Sequence, residues 1–226
     1  MEKQGRIVMK KRIWDFWSRR YSSLWVQKYS LGPTREKVKY IVTDFASLTE
    51  SLGYEDSEPA QAGFSLLDIG CGTGELLYDL RDVPGIKRSG LDFSEGMIRE
   101  SEKKNPDVTH YVMDVGELEA IEERFDIITC THSLPYYPSK RETLAKISNL
   151  LEKDGRAVFA FASGNSLLDR IILMFVKLTT GPASYPGDRE FRKLTQGIFH
   201  IEKREVIKLR PYMPTIAVYT LRKAGL

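Results

Sequence analysis

Three glycines at alternate positions, Gly70, Gly72 and Gly74, follow the apolar run FSLLDI (residues 64–69) and open the stretch GELLYDLRDV. Glycine at that density gives up packing and costs backbone entropy, so the chain must need the missing Cβ atoms. A glycine turn between a strand and a helix lets a ligand approach the backbone at the carboxyl end of the strand, where open α/β sheets bind ligands. The start of the following helix adds free N–H groups and a positive dipole end. A nucleotide-like ligand fits that setting, and the neighbouring residues narrow it. No Lys follows, so the loop is not a G-x-x-x-x-G-K-[ST] phosphate cradle. Counted from Gly70, the third glycine falls one residue early for G-x-G-x-x-G, and Glu75 follows it. Asp68 and Glu75 would oppose a pyrophosphate and attract a ligand that carries an ammonium group.

Other residues with chemical potential end later apolar runs. Asp92 is next to last in RSGLDF and Asp114 next to last in THYVMDV. Taken alone, Asp92 also reads as a turn or capping acid, and Asp114 as an ordinary exposed acid at a strand end. His132, Tyr136 and Tyr137 lie in THSLPYY, just beyond FDIITC. An imidazole titrates in the range useful for removing a proton, though a packing histidine at a loop fits His132 equally. Cys71 and Cys130 make neither a disulfide framework nor a metal-ligand cluster, and they read as small packing residues; no metal site is expected.

The elements that would hold these residues follow from periodicity and punctuation. FSLLDI, RSGLDF, THYVMDV, FDIITCTHS and RAVFAFAS read as five strands, with helices GELLYDLRDV, SEGMIRESEKKN and one from Ser139 to Leu151 between them. Ser94 caps the second helix and Asn105-Pro106 stops it. Ser139 and Glu142 predict a capping box at the head of the third. Strands alternating with helices mean a parallel sheet with right-handed crossovers. The chain then breaks rhythm: a helix near 165–178, a loop with Gly181-Pro182 and Pro186-Gly187, and two strands linked by PYMP, which should pair antiparallel. Upstream, aromatic residues at 14, 17, 21 and 25 share a helix face, and Thr34 is placed to cap a second helix after Gly32-Pro33.

The motif L-L-D-I-G-C-G-T-G, followed in order by these strand-end acids, resembles the first motif of class I S-adenosylmethionine-dependent methyltransferases. The resemblance covers roughly residues 64–160. It implies an α/β, Rossmann-like, seven-stranded, mostly parallel sheet with a C-terminal antiparallel hairpin strand. It divides the chain into an N-terminal helical cap (1–55) and an S-adenosyl-L-methionine (SAM)-binding domain (56–226), with a substrate-side insertion near 163–195. It also implies the cofactor contacts. Asp68, Gly70, Cys71, Gly72 and Gly74 would form the loop. Asp92 would hold the ribose hydroxyls and Phe93 would lie against adenine, with Met97 nearby. Asp114 would accept from the adenine amino group beside Met113 or Val115. Backbone at Cys130 and Thr131, with Tyr21 from the cap, would hold the methionine end. His132 and Tyr136 are the candidate catalytic residues.

The whole chain sets the outer limits. It has 226 residues, 42% hydrophobic and 29% charged, which suits a soluble α/β domain with an appendage. Residues 1–40 hold eleven Lys/Arg against three acids and residues 187–226 nine against four, so basic ends flank an acidic middle. No stretch reads as a signal peptide or a membrane span, and the expected compartment is cytoplasmic. The apolar run Ile171–Val176 must bury against something: an apolar pocket, a second copy in a homodimer, or a membrane surface. No added nucleic-acid module is visible, so nucleic acid is not favoured. The leading expectation is methyl transfer to a small, partly apolar molecule through oxygen, nitrogen or carbon. RNA or protein methylation, or a non-catalytic SAM-binding partner subunit, is the runner-up.

Overall fold

A computed structural model describes residues 31–51, 63–180, 183–208, 210 and 213–225. Seven strands form one sheet: β1 (Phe64–Ile69), β2 (Ile86–Asp92), β3 (Thr109–Val112), β4 (Phe125–Thr131), β5 (Leu151–Ala162), β6 (Phe199–Ile207) and β7 (Ile216–Lys223). Their order is β3-β2-β1-β4-β5-β7-β6. Strands β1 to β5 pair in parallel, and β7 runs antiparallel between β5 and β6. The seven-stranded sheet and its closing hairpin are as expected from the sequence.

The side-chain alternation of a strand splits the core between the two sheet faces. Leu67, Ile69, Ile128, Phe159 and Tyr219 face one layer, while Leu66, Ile127, Val158 and Val218 face the other. Helix α1 (Gly32–Ser51) packs on the second layer through Val38, Val42 and Ala46. It starts two residues before the expected Thr34 cap. Thr34 is fully buried within its first turn, where its hydroxyl serves another purpose described below. The expected helix face at 14, 17, 21 and 25, with Tyr21, lies outside the described residues.

Three further boundaries and one cap differ from expectation, each for a local reason. Helix α2 spans only Glu75–Asp79, because Pro84 disfavours helix in the residue before it and the chain turns from Leu80 onward. Strand β3 ends at Val112, because Asp114 and Glu117 form a capping box that starts a 3-10 turn at Val115–Ala120. Helix α3 (Glu95–Lys104) begins as expected: the Ser94 hydroxyl accepts from Met97 N at 3.2 Å, and Asn105 closes it. Helix α4 (Lys140–Leu150) has Ser139 as its N-cap but no capping box, since Ser139 makes no side-chain cap and Glu142 lies 3.6 Å from Lys146. Strand β5 starts at Leu151, because Asp154 and Gly155 form an irregularity in the β4–β5 ladder rather than a turn before the strand.

The stretch after β5 holds two helices, α5 (Leu167–Thr180) and α6 (Asp188–Thr195). The second was not expected. Its fully buried Phe191 packs 4.3 Å from the ring centroid of Tyr219. Among the described residues, no helix is long and apolar enough to cross a membrane.

Candidate active site

The glycine loop leaves the top of β1 in a conformation only glycine adopts without strain. Gly70, Gly72 and Gly74 have φ of 77°, 55° and 73°, all in the left-handed region. A Cβ on Gly70 would fall 2.5 Å from Ser133 Cβ, so the close approach of the β4 loop adds a second reason for glycine there. The loop is tied to its neighbour: Gly70 N and Cys71 N both donate to Leu91 O, at 2.7 and 3.0 Å. Gly72 N donates to Asp92 Oδ2 at 3.0 Å, and Ser94 N to Asp92 Oδ1 at 2.9 Å. Asp92 thus braces the loop and the turn after β2 with one carboxylate. Each of its oxygens keeps capacity to accept from a ligand hydroxyl.

This loop, the end of β4 and the first turn of α1 enclose a cleft of about 430 Å³, its open mouth included. Asp68, Gly70, Cys71, Gly72, Thr131 and His132 line it, joined by Thr34, Arg35 and Glu75. Asp68 is 1% exposed and accepts from the Thr129 hydroxyl at 2.8 Å. Burial pushes its pKa up to about 7, and the nearby Asp92 adds to the rise, against the Thr129 hydrogen bond. A buried carboxyl in that condition favours a cationic ligand at its side.

His132 forms the opposite wall. Its backbone is left-handed, with φ of 60°, and its amide donates to Ala160 O at 2.6 Å. Nε2 shares a 3.0 Å hydrogen bond with the Thr34 hydroxyl. Desolvation, and secondly the Arg35 cation, bring its pKa down to about 4, so the ring is neutral at neutral pH. Arg35 itself pairs with Asp79 at 2.9 Å while reaching the cleft. Thr34 and Arg35 are the site residues that sequence reasoning missed.

A methyltransferase-domain family model matches residues 66–155, from the middle of β1 to the start of β5's long parallel pairing. The magnesium protoporphyrin IX methyltransferase from Synechocystis, solved with bound SAH, superposes with a TM-score of 0.68 at 18% identity, covering 95% of this chain and 99% of that one. Residues 66–155 are thus similar to a methyltransferase domain, and the described fold is that of the SAH-bound enzyme. Curated relatives agree with that domain. A ubiquinone biosynthesis O-methyltransferase from Coxiella burnetii is 28% identical over 118 residues, 50% of each chain. The chloroplastic magnesium protoporphyrin IX methyltransferase from Arabidopsis thaliana is 30% identical over 128 residues, 54% of this chain and 40% of that one. The chain thus spans about half the length, or less, of these curated relatives.

The expected site residues fall into groups. Asp68, Gly70, Cys71, Gly72, Thr131 and His132 meet at the cleft, and Gly74 and Asp92 sit directly behind the loop. Phe93 is half-buried at the end of β2, and Met97 is buried in α3. Met113 and Val115 pack against the first core layer. Asp114 accepts from Gly116 N through Oδ1 at 2.8 Å and caps the 3-10 turn at Val115–Ala120, a capping role the sequence reading did not give it. Cys130 is fully buried, 3.1 Å from the Ser133 hydroxyl, and Cys71 is also buried; both are free thiols. Tyr136 stands apart from the loop: its hydroxyl lies 3.4 Å from that of Tyr185, with the rings edge to face.

Proposed function

We propose that this chain binds SAM in the glycine-loop cleft and transfers its methyl group to a small, partly apolar molecule. The observation that carries this reading is the pairing of Asp92 with the Gly72 amide beside a buried, cation-seeking Asp68. Three left-handed glycines let a ligand lie against the backbone. Asp92 can accept from a diol, and Asp68 faces the cleft where an ammonium or sulfonium would sit. Arg35 at the rim suits the ligand's carboxylate.

When bound, SAM supplies an activated methyl group on a cationic sulfur, so the protein's own work is positioning and exclusion of water. Asp68, Asp92 and the loop amides orient the cofactor end. Thr34 and His132 hold the first turn of α1 against the cleft, which fixes Arg35. We assign His132 to that latch, because its Nε2 is already bonded to Thr34 and its pKa is low for a base. Tyr136, paired with Tyr185 beyond the end of β4, is the hydroxyl we assign to orienting the acceptor.

A small-molecule acceptor is supported by relatives named for ubiquinone biosynthesis and magnesium protoporphyrin IX. Two free, buried thiols suit the cytoplasm. Incubation of the chain with methyl-labelled SAM and fractionated cell extract tests the reading. Label in the small-molecule fraction supports it. Label confined to RNA or protein would replace it with the macromolecular reading, and cofactor binding with no transfer to any fraction would indicate a partner subunit.

A further inference from the structure

Helix α5 presents an apolar face to solvent. Leu167, Leu168, Ile171, Met174 and Phe175 are 75%, 48%, 45%, 57% and 60% exposed. At 100° per residue they occupy an arc of about 120°. The opposite side of the helix seats it: Leu173 is buried, and Asp169 is 2% exposed. Asp169 Oδ2 accepts from the Ser166 hydroxyl at 2.6 Å, and Oδ1 accepts from Thr215 N at 3.0 Å. The exposed stripe is therefore held outward by a built anchor, rather than turned outward for want of one.

The exposed charged residues of α5 have one sign. Asp169 is the acid of α5, and it is buried and bonded. The two cations, Arg170 and Lys177, are exposed and share one flank of the stripe. Lys208 reaches the helix base, 3.8 Å from Asp169. Two copies packed across a two-fold axis at α5 would bring Arg170 of one toward Lys177 of the other, which like charge opposes. Residues 1–30 of the chain hold eight Lys/Arg against two acids, so they do not complement that flank either. They would instead add attraction to a negative surface.

We propose that α5 docks this protein on an anionic lipid bilayer, with the apolar stripe in the headgroup–acyl boundary and the cations on lipid phosphates. The dock adjoins the Tyr136–Tyr185 pair: Lys177 Nζ lies 6.0 Å from the ring centroid of Tyr185, whose hydroxyl meets that of Tyr136. The proposal does not rest on methyl transfer.

The test is co-sedimentation of the full chain with vesicles of phosphatidylglycerol and phosphatidylcholine, compared with phosphatidylcholine alone. The expected result is binding to the anionic vesicles that weakens with salt and with loss of phosphatidylglycerol. The triple variant Leu167→Ser, Ile171→Ser, Phe175→Ser should bind about tenfold less or weaker still, since each apolar side chain adds to insertion. Its melting temperature without vesicles and its SAM affinity should match the parent. Failure of the parent to sediment with anionic vesicles overturns the proposal, as does equal sedimentation of the triple variant. A concentration-dependent dimer that the triple variant abolishes, with no vesicle binding, makes the face a self-interface. A triple variant that melts well below the parent without vesicles shows the face is already covered by this chain, and also overturns it.

Discussion

Asp92 Oδ2 accepts the Gly72 amide at 3.0 Å, so a residue at the end of β2 fixes the loop that leaves β1. The same carboxylate takes Ser94 N through its other oxygen, at the cap of α3. One side chain therefore has a structural duty and, on the reading above, a ligand duty. Asp92→Ala should lower SAM affinity by about 10- to 100-fold, from hydrogen bonds of ~1–3 kcal/mol to a charged acceptor. It should also destabilise the protein without ligand. Calorimetry and thermal melting separate the two. A lower melting temperature with unchanged affinity would confine Asp92 to the structural duty.

Gly70 and Gly197 share a left-handed backbone, with φ of 77° and 74°, but not their surroundings. A Cβ on Gly197 meets nothing within 4 Å, whereas one on Gly70 would press into Ser133. Gly197→Ala should cost about 1–2 kcal/mol from conformation alone. Gly70→Ala should cost ~2 kcal/mol or more beyond that from overlap, and should weaken cofactor binding. Equal chemical-denaturation losses for the two variants would mean the loop is looser than described.

Asp68 is raised to about 7 in the folded protein, above its ordinary value of 3.8. Its contribution to stability is therefore fully present below pH 3.8 and is lost as pH rises through 7. Asp68→Asn, which can still accept from Thr129, should be more stable than the parent at pH 8, by something on the order of 4 kcal/mol, and no more stable near pH 4. A cation bound beside Asp68 would lower its pKa, so SAM binding near pH 6.5 should release a proton. Binding heats measured in buffers of different ionisation enthalpy read this directly. Heats independent of buffer would place the ligand's positive charge elsewhere.

His132 shifts the other way, from 6.5 down to about 4. Its contribution is present above pH 6.5 and is lost as pH falls through 4. His132→Asn keeps a residue tolerant of the left-handed backbone and should blunt acid destabilisation in that window. If His132 is a latch through Thr34, then His132→Asn and Thr34→Val should both raise KM for SAM more than they lower kcat. A limb near pH 6.5 in kcat, abolished by His132→Asn, would instead mark it as the base.

Much of the fold was legible because its determinants are local. The β1 limits, the Ser94 cap and the Asn105 stop follow from residues within a few positions of each other. So did the strand-to-strand alternation that fixes the sheet. The shortened α2 and β3 were readable in principle, from Pro84 and from the Asp114–Glu117 box. Helix α6 was hidden by its eight-residue length between breakers, with Phe191 as its fully buried large apolar anchor. Thr34 and Arg35 were beyond reach: the Thr34–His132 bond joins residues 98 positions apart, and no periodicity reports such a contact.

The most direct test of the central claim is titration of the full chain with SAM, alongside NADH, by calorimetry. The account predicts one SAM site with a dissociation constant in the range of about 1 μM to 1 mM, weakened by Asp92→Ala, and no heat from NADH. No heat from SAM, or binding of NADH in its place, would contradict it.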